Sequence, residues 1–164
     1  MDPRDLVRQL APRYGVPTWF AENLVGAESS WNPGAISPKG AGGIMQFMPE
    51  TGARYGLSPE DRFDPLKAVP AGLQHLRDLY EEFGDWKLAA AAYNAGAGAV
   101  KKHGGIPPFK ETQNYVAKIF ANAPDPRMAG DMTGAPAVSP YTLPDKMQMA
   151  QNMYPSDSGQ QVLN

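Results

Sequence analysis

The sequence predicts an all-α domain with an irregular C-terminal tail. Three observations carry this expectation. Leu66, Val69, Leu73, Leu76, Tyr80 and Phe83 recur at spacings of three, four, three, four and three, the repeat of one helical face. Several segments open on a capping residue or proline and close on glycine. No alternating apolar–polar run is long enough for a strand, which leaves room only for a short hairpin within residues 32–43.

Each element follows from local chemistry. Asp2 caps a first helix that has Pro3 at its opening and Leu6, Val7, Leu10 and Tyr14 on one face; Gly15 ends it. Thr18, after Val16 and Pro17, starts a second helix that runs to about Ser30. Its stripe is Phe20, Leu24, Glu28 and Trp31, so a carboxylate stands where a core residue is expected. The stretch WNPGAISPKGAGG, with two prolines and four glycines, reads as loop. Ile44, Met45, Phe47 and Met48 suggest a helical turn, and Pro49 opens a helix toward Tyr55 and Gly56. Asp64 and Pro65 begin the longest helix. DWKLAAAAYNAG forms another, with Trp86, Ala89, Ala90 and Tyr93 on one side and Gly96 as its stop. GGIPPF is a turn, and residues 110–122 form a last helix bearing Tyr115, Val116, Ile119 and Phe120.

From Ala123 onward six prolines and five methionines punctuate a polar segment, in which only residues 145–153 suit a short helix. The expected division is a catalytic domain in residues 1–122 and an extension in residues 123–164, held by a partner or flexible.

Composition narrows the function classes. A net charge of −2 provides no basic field for nucleic acid phosphates. There is no cysteine, and His75 and His103 stand far apart with no acidic cluster at ligand spacing, so neither a metal nor another cofactor is expected. The N-terminal run MDPRDLVRQLAPRYG lacks the apolar stretch of an export signal, and no membrane segment is visible.

Glu28 is the residue on which chemistry can be built. Partial burial raises a carboxyl pKa and keeps the acid protonated near neutrality. The glycine- and proline-rich loop that follows should leave the helix end bordering a groove. A protonated acid at a groove rim is what glycosidic cleavage needs, because the leaving oxygen must receive a proton. Gln46, the Tyr93–Asn94 pair and Tyr115 are individually as compatible with exposed, helix-ending or core positions as with a site.

Taken together, GAESSWNPGAISPKGAGGIMQFMPETGARYG, DWKLAAAAYNAGAGAV and GGIPPFKETQNYV resemble the soluble-type lytic transglycosylases, from about Tyr14 to Phe120. The resemblance implies a goose-lysozyme-like fold and peptidoglycan as substrate, cleaved between N-acetylmuramic acid and N-acetylglucosamine to leave a 1,6-anhydro end. It implies Glu28 as catalytic acid and Ser29 as a neighbour of the sugar. It places Met45 and Gln46 on one side of the groove, with Tyr93, Asn94, Ala95 and Gly96 facing them, and brings Tyr115 to the catalytic carboxyl. Ile44, Trp31 and Gly52 depart from the commoner leucine, phenylalanine and alanine. No second acid is expected at a partner position in these motifs; Glu50, Asp61 and Asp64 read as capping or surface residues. A hydrolytic muramidase and a silent structural protein of the same fold are the competing readings.

The expected substrate lies outside the cytoplasm. Transglycosylase domains of this kind also occur in phage particles. The expectation is a virion enzyme that opens the wall locally during genome entry and contacts other virion proteins through residues 123–164. The alternative is a bacterial periplasmic or secreted enzyme whose signal has been removed.

Overall fold

The computed structural model describes residues 1–124, and among them every regular element is helical. Apart from Ala123 and Pro124, the extension expected from residue 123 lies outside the described residues.

Helix α1 (Pro3–Leu10) is capped by the Asp2 carboxylate, which accepts from the Arg4 amide at 2.9 Å. It buries Leu6 and Val7 and passes into a 3₁₀ turn, Ala11–Tyr14, which Gly15 ends in the left-handed region. Helix α2 (Thr18–Ser29) packs against α1 and the last described helix, α7 (Lys110–Phe120), burying Phe20, Ala21, Leu24 and Val25. A short helix α3 (Pro49–Arg54) and a 3₁₀ turn (Glu60–Phe63) lead to α4 (Pro65–Phe83), the longest element described. Asp64 caps α4, and Asp61 accepts from the Ser58 amide and pairs with Lys67, while Glu50 is exposed.

Helix α5 (Trp86–Ala95) lies between α4 and α7 with Ala89, Ala90, Ala91 and Ala92 all buried. Their small side chains let both neighbours approach closely. Phe20, Leu24, Leu73, Leu76 and Ile119 are fully buried, and Trp19, Phe20, Trp86 and Phe120 form an aromatic group beside them. Each large apolar side chain so buried contributes about 1.5–3 kcal/mol.

The structure adds one helix that the sequence pattern does not show. Residues Ala97–His103 form α6, which follows Gly96 directly and buries Val100. The second helix ends at Ser29, and Ser30 and Trp31 both turn left-handed, with φ of 53° and 66°. Trp31 therefore leaves the helical stripe; it is half-buried against the core with the Arg4 guanidinium 4.6 Å above its ring. Residues 32–48 form no strand, but isolated antiparallel bridges join Ile36 to Gly42 and Gly42 to Phe47.

Candidate active site

The loop 32–48 is held from below by a buried arginine. The Arg62 guanidinium donates to the carbonyls of Pro59 (2.9 Å), Gly40 (3.0 Å) and Phe47 (2.9 Å). Gly43 (φ 85°) passes so close that a Cβ there would collide with the Arg62 carbonyl. Gln46 completes the turn with φ of 52°, and its side-chain amide donates to Gly43 O (2.8 Å) and Ala35 O (3.1 Å). Both amide hydrogens are thereby committed, and the amide oxygen remains as the polar atom for a ligand.

Met45 departs from its expected place. A side chain that lines a groove keeps an open face, whereas Met45 is fully buried and seated on α4 at Gly72, where a Cβ would strike its methyl group. Gln46, the next residue, turns left-handed, and the main chain of Met45 meets the Tyr93 motif. Its carbonyl accepts from the Tyr93 hydroxyl at 2.7 Å. Ser29 is buried too. Its hydroxyl donates to Ile44 O at 2.8 Å, with Val25 O at 3.3 Å, so it tethers α2 to the loop instead of presenting a free donor.

Glu28, one turn after Leu24, lies between these segments. The buried Tyr115 of α7 donates its hydroxyl to Glu28 Oε2 at 2.5 Å. Part of Glu28 stays open to solvent, yet protein surrounds the residue on most sides. That desolvation dominates and raises the carboxyl pKa to about 7; the Tyr115 hydrogen bond pulls it down, and the negative charge of Glu111 pushes it up. Burial also pushes the Tyr93 and Tyr115 phenols well above their ordinary range, and the Glu28 charge adds to it. Both tyrosines are therefore neutral hydroxyl donors at working pH.

Asn94 joins α5 to the start of α7. Its oxygen accepts from Thr112 at 2.8 Å, and its amide reaches Glu111 at 3.4 Å. Ala95 is half-buried, and Gly96 is exposed with φ of 96° and its N–H committed to Ala92 O. The structure thus brings Glu28 together with Tyr115, and Met45 with Tyr93, while Gln46 and Ser29 shape the loop between.

Glu111 adds an electrostatic influence on Glu28 that the sequence does not show. It stands in the third motif, GGIPPFKETQNYV, one turn before Tyr115, and its charge reaches Glu28. Its exposed position in a first helical turn reads from sequence as a favourable helix end. Only the docking of α7 against α2 reveals the proximity. Among the described residues no group of three His, Cys, Asp or Glu side chains could hold a metal ion, and no helix is long and apolar enough to cross a membrane.

Comparison with known proteins gives a consistent result. The Transglycosylase SLT domain family matches residues 5–116. The chain is 32% identical over 139 residues to the soluble lytic murein transglycosylase of Escherichia coli, covering 71% of this chain and 22% of that protein. Its fold is similar to the crystal structure of the 70-kDa soluble lytic transglycosylase from Escherichia coli, with a TM-score of 0.62, 32% identity, and coverage of 70% of this chain and 23% of the other. It is also similar to an inactive glutamate-to-glutamine mutant of lytic transglycosylase Slt from Pseudomonas aeruginosa, with a TM-score of 0.65, 27% identity, and coverage of 82% and 25%. The chain spans about a fifth to a quarter of the length of these relatives.

Proposed function

Because the chain belongs to the transglycosylase SLT domain family, we propose that it is a peptidoglycan lytic transglycosylase with Glu28 as its single acid–base residue. The observation that carries this reading is a carboxyl held at a pKa of about 7 by burial, reachable from solvent and hydrogen-bonded by Tyr115. A group so poised is protonated in a large fraction at neutral pH and can take a proton back, as a two-step reaction requires.

In the first step Glu28 protonates the oxygen between N-acetylmuramic acid and N-acetylglucosamine, and the bond from that oxygen to the anomeric carbon breaks. Glu28 is left as a carboxylate, which the Tyr115 hydroxyl stabilises. In the second step the carboxylate removes the proton from the muramic acid 6-hydroxyl, whose oxygen bonds to the anomeric carbon. The ring closes as a 1,6-anhydro sugar, no water is consumed, and Glu28 is protonated again. Gln46 Oε1, the Asn94 side chain and the carbonyl oxygens of Ala95 and Gly96 are the polar groups offered to the sugars. Ser29, Met45 and Tyr93 act by holding the loop.

Mass spectrometry of digested peptidoglycan tests this directly. Anhydro ends are expected from the wild type, with release reduced about 10²–10⁴-fold in Glu28→Gln. Reducing ends without anhydro sugar would instead assign a hydrolase, and equal rates would remove Glu28 from the chemistry. We further propose that the chain acts as a virion enzyme during phage genome entry and contacts other particle proteins through residues 123–164. The Pro- and Met-rich composition of that segment supports a partner-binding role. Its detection in purified particles is the expected result, and its absence from them overturns the proposal.

A further inference from the structure

A depression of about 230 Å³ opens between α3, α4 and the ends of α5 and α6. Thr51, Arg54, Tyr55, His75, Asp78 and Tyr93 are among its lining residues. Tyr93 lines this depression and also feels the charge of the Glu28 carboxyl, so the cavity and the acid lie within electrostatic reach of one side chain. The volume falls below the roughly 300–1,000 Å³ of pockets that take a whole drug-sized ligand. It suits one end group of a larger molecule.

The walls are ordered by a chain of contacts. The Tyr55 hydroxyl donates to Asp78 Oδ2 at 2.7 Å and lies 3.1 Å from His75 Nδ1. With that hydroxyl proton directed to Asp78, His75 Nδ1–H is the donor to Tyr55. Burial and the nearby Arg54 charge lower the His75 pKa to about 4, so the ring is neutral at working pH. His75 also packs on Tyr93, with ring centroids 5.2 Å apart.

Two charges of opposite sign face the cavity without an ionic partner among the described residues. Arg54 is exposed and makes only a long hydrogen bond to Thr51 Oγ1 at 3.4 Å. Asp78 accepts from the neutral donors Tyr55 and Gln74. Both act on His75, Arg54 lowering and Asp78 raising its pKa, so both stand at the same cavity. Glu82, which also lines it, is neutralised by Lys101 at 2.5 Å.

We infer that this cavity receives a zwitterionic amino-acid end group of the peptide attached to the glycan strand, with its carboxylate on Arg54 and its ammonium on Asp78. The inference rests on the peptidoglycan reading of the groove. N-acetylated sugars are neutral, and the lactyl carboxyl of muramic acid is consumed in the amide to the peptide. Paired opposite charges in this substrate therefore reside in the stem peptide, at its diamino acid. An exposed charged rim provides a modest preference, sensitive to salt.

The test compares peptidoglycan strands bearing tripeptide stems with the same strands stripped of peptide by an amidase. Arg54→Gln is expected to raise KM about 2–5-fold on the peptide-bearing strands with kcat unchanged, to leave stripped strands unaffected, and to be partly rescued by Arg54→Lys. An equal effect on both substrates makes the cavity a sugar subsite and overturns the inference, as does no effect on either. A separate NMR titration uses the free tripeptide L-alanyl-D-isoglutamyl-meso-diaminopimelate. Shifts at the Tyr55 and Tyr93 rings that vanish in Arg54→Gln support the inference, and their absence in wild type refutes it. Should the wild type degrade neither strand, the lytic reading fails while this titration still decides the cavity.

Discussion

Tyr115→Phe isolates the hydrogen bond on which the Glu28 acid depends. Tyr115 is buried, so phenylalanine keeps its packing and removes only the hydroxyl that donates to Glu28 at 2.5 Å. That bond favours the carboxylate and holds the pKa down against burial, so the pKa should rise above about 7 without it. A hydrogen bond to a charged group contributes about 1.5–3 kcal/mol, and about 1.4 kcal/mol corresponds to one pH unit, which gives an upward movement of about one to two pH units. Because the first step needs protonated Glu28, kcat/KM falls as pH rises through its pKa. The basic limb of the profile should therefore move upward in Tyr115→Phe. Glu111→Gln removes a like charge and should move the same limb downward. The assay is kcat/KM for muropeptide release from pH 5 to 9, read alongside the 13C resonance of labelled Glu28. A limb that stays in place in Tyr115→Phe, or moves downward, refutes the assignment of Tyr115 as the group that tunes the acid.

The same raised pKa predicts a stability change of defined sign. The folded-state pKa of about 7 exceeds the ordinary value of 4.5, so Glu28 contributes no penalty below pH 4.5. Stability is lost as pH rises through 7, by about 3 kcal/mol. Glu28→Gln should then gain on wild type by about that amount between pH 4 and pH 8 in urea unfolding, and parallel curves at both pH values would contradict a desolvated carboxyl. Arg62→Met should cost about 3 kcal/mol, because it removes three charged hydrogen bonds and leaves the Gly40 and Phe47 carbonyls under-satisfied. A stability within about 0.5 kcal/mol of wild type, the scatter of surface substitutions, would show that the loop does not rely on this clamp.

Much of the helical plan is legible in the sequence because caps and apolar spacing are local. Asp2, Asp64 and Asp85 each cap the helix they precede, and the stripe from Val69 to Phe83 continues through Pro70, which removes one main-chain donor without stopping α4. Leu66, at the start of the same repeat, is exposed. Helix α6 escapes because its residues AGAVKKH bury Val100 alone, too little for a period to register. Site residues divide along the same line. Glu28 shows in the sequence as a carboxylate on an apolar stripe, whereas the burial of Met45 and Ser29 goes with a seat at Gly72 and a main-chain acceptor at Ile44 that no spacing encodes. Arg62 reads as a surface cation until the loop carbonyls that surround it are known. Glu111 and Arg54 acquire meaning only when separate helices bring them beside Glu28 and His75.

The bond between Tyr115 and Glu28 spans 87 positions of the chain, and that between Tyr93 and Met45 spans 48. Neither can form in a short fragment or in an extended chain passing through a narrow channel. In such a chain Glu28 is an ordinary solvated carboxylate, ionised at neutral pH and unable to protonate a glycosidic oxygen. The raised pKa of Glu28 is thus a property of topological closure: the docking of α7 on α2 is what sets the Tyr115 hydroxyl on the carboxyl.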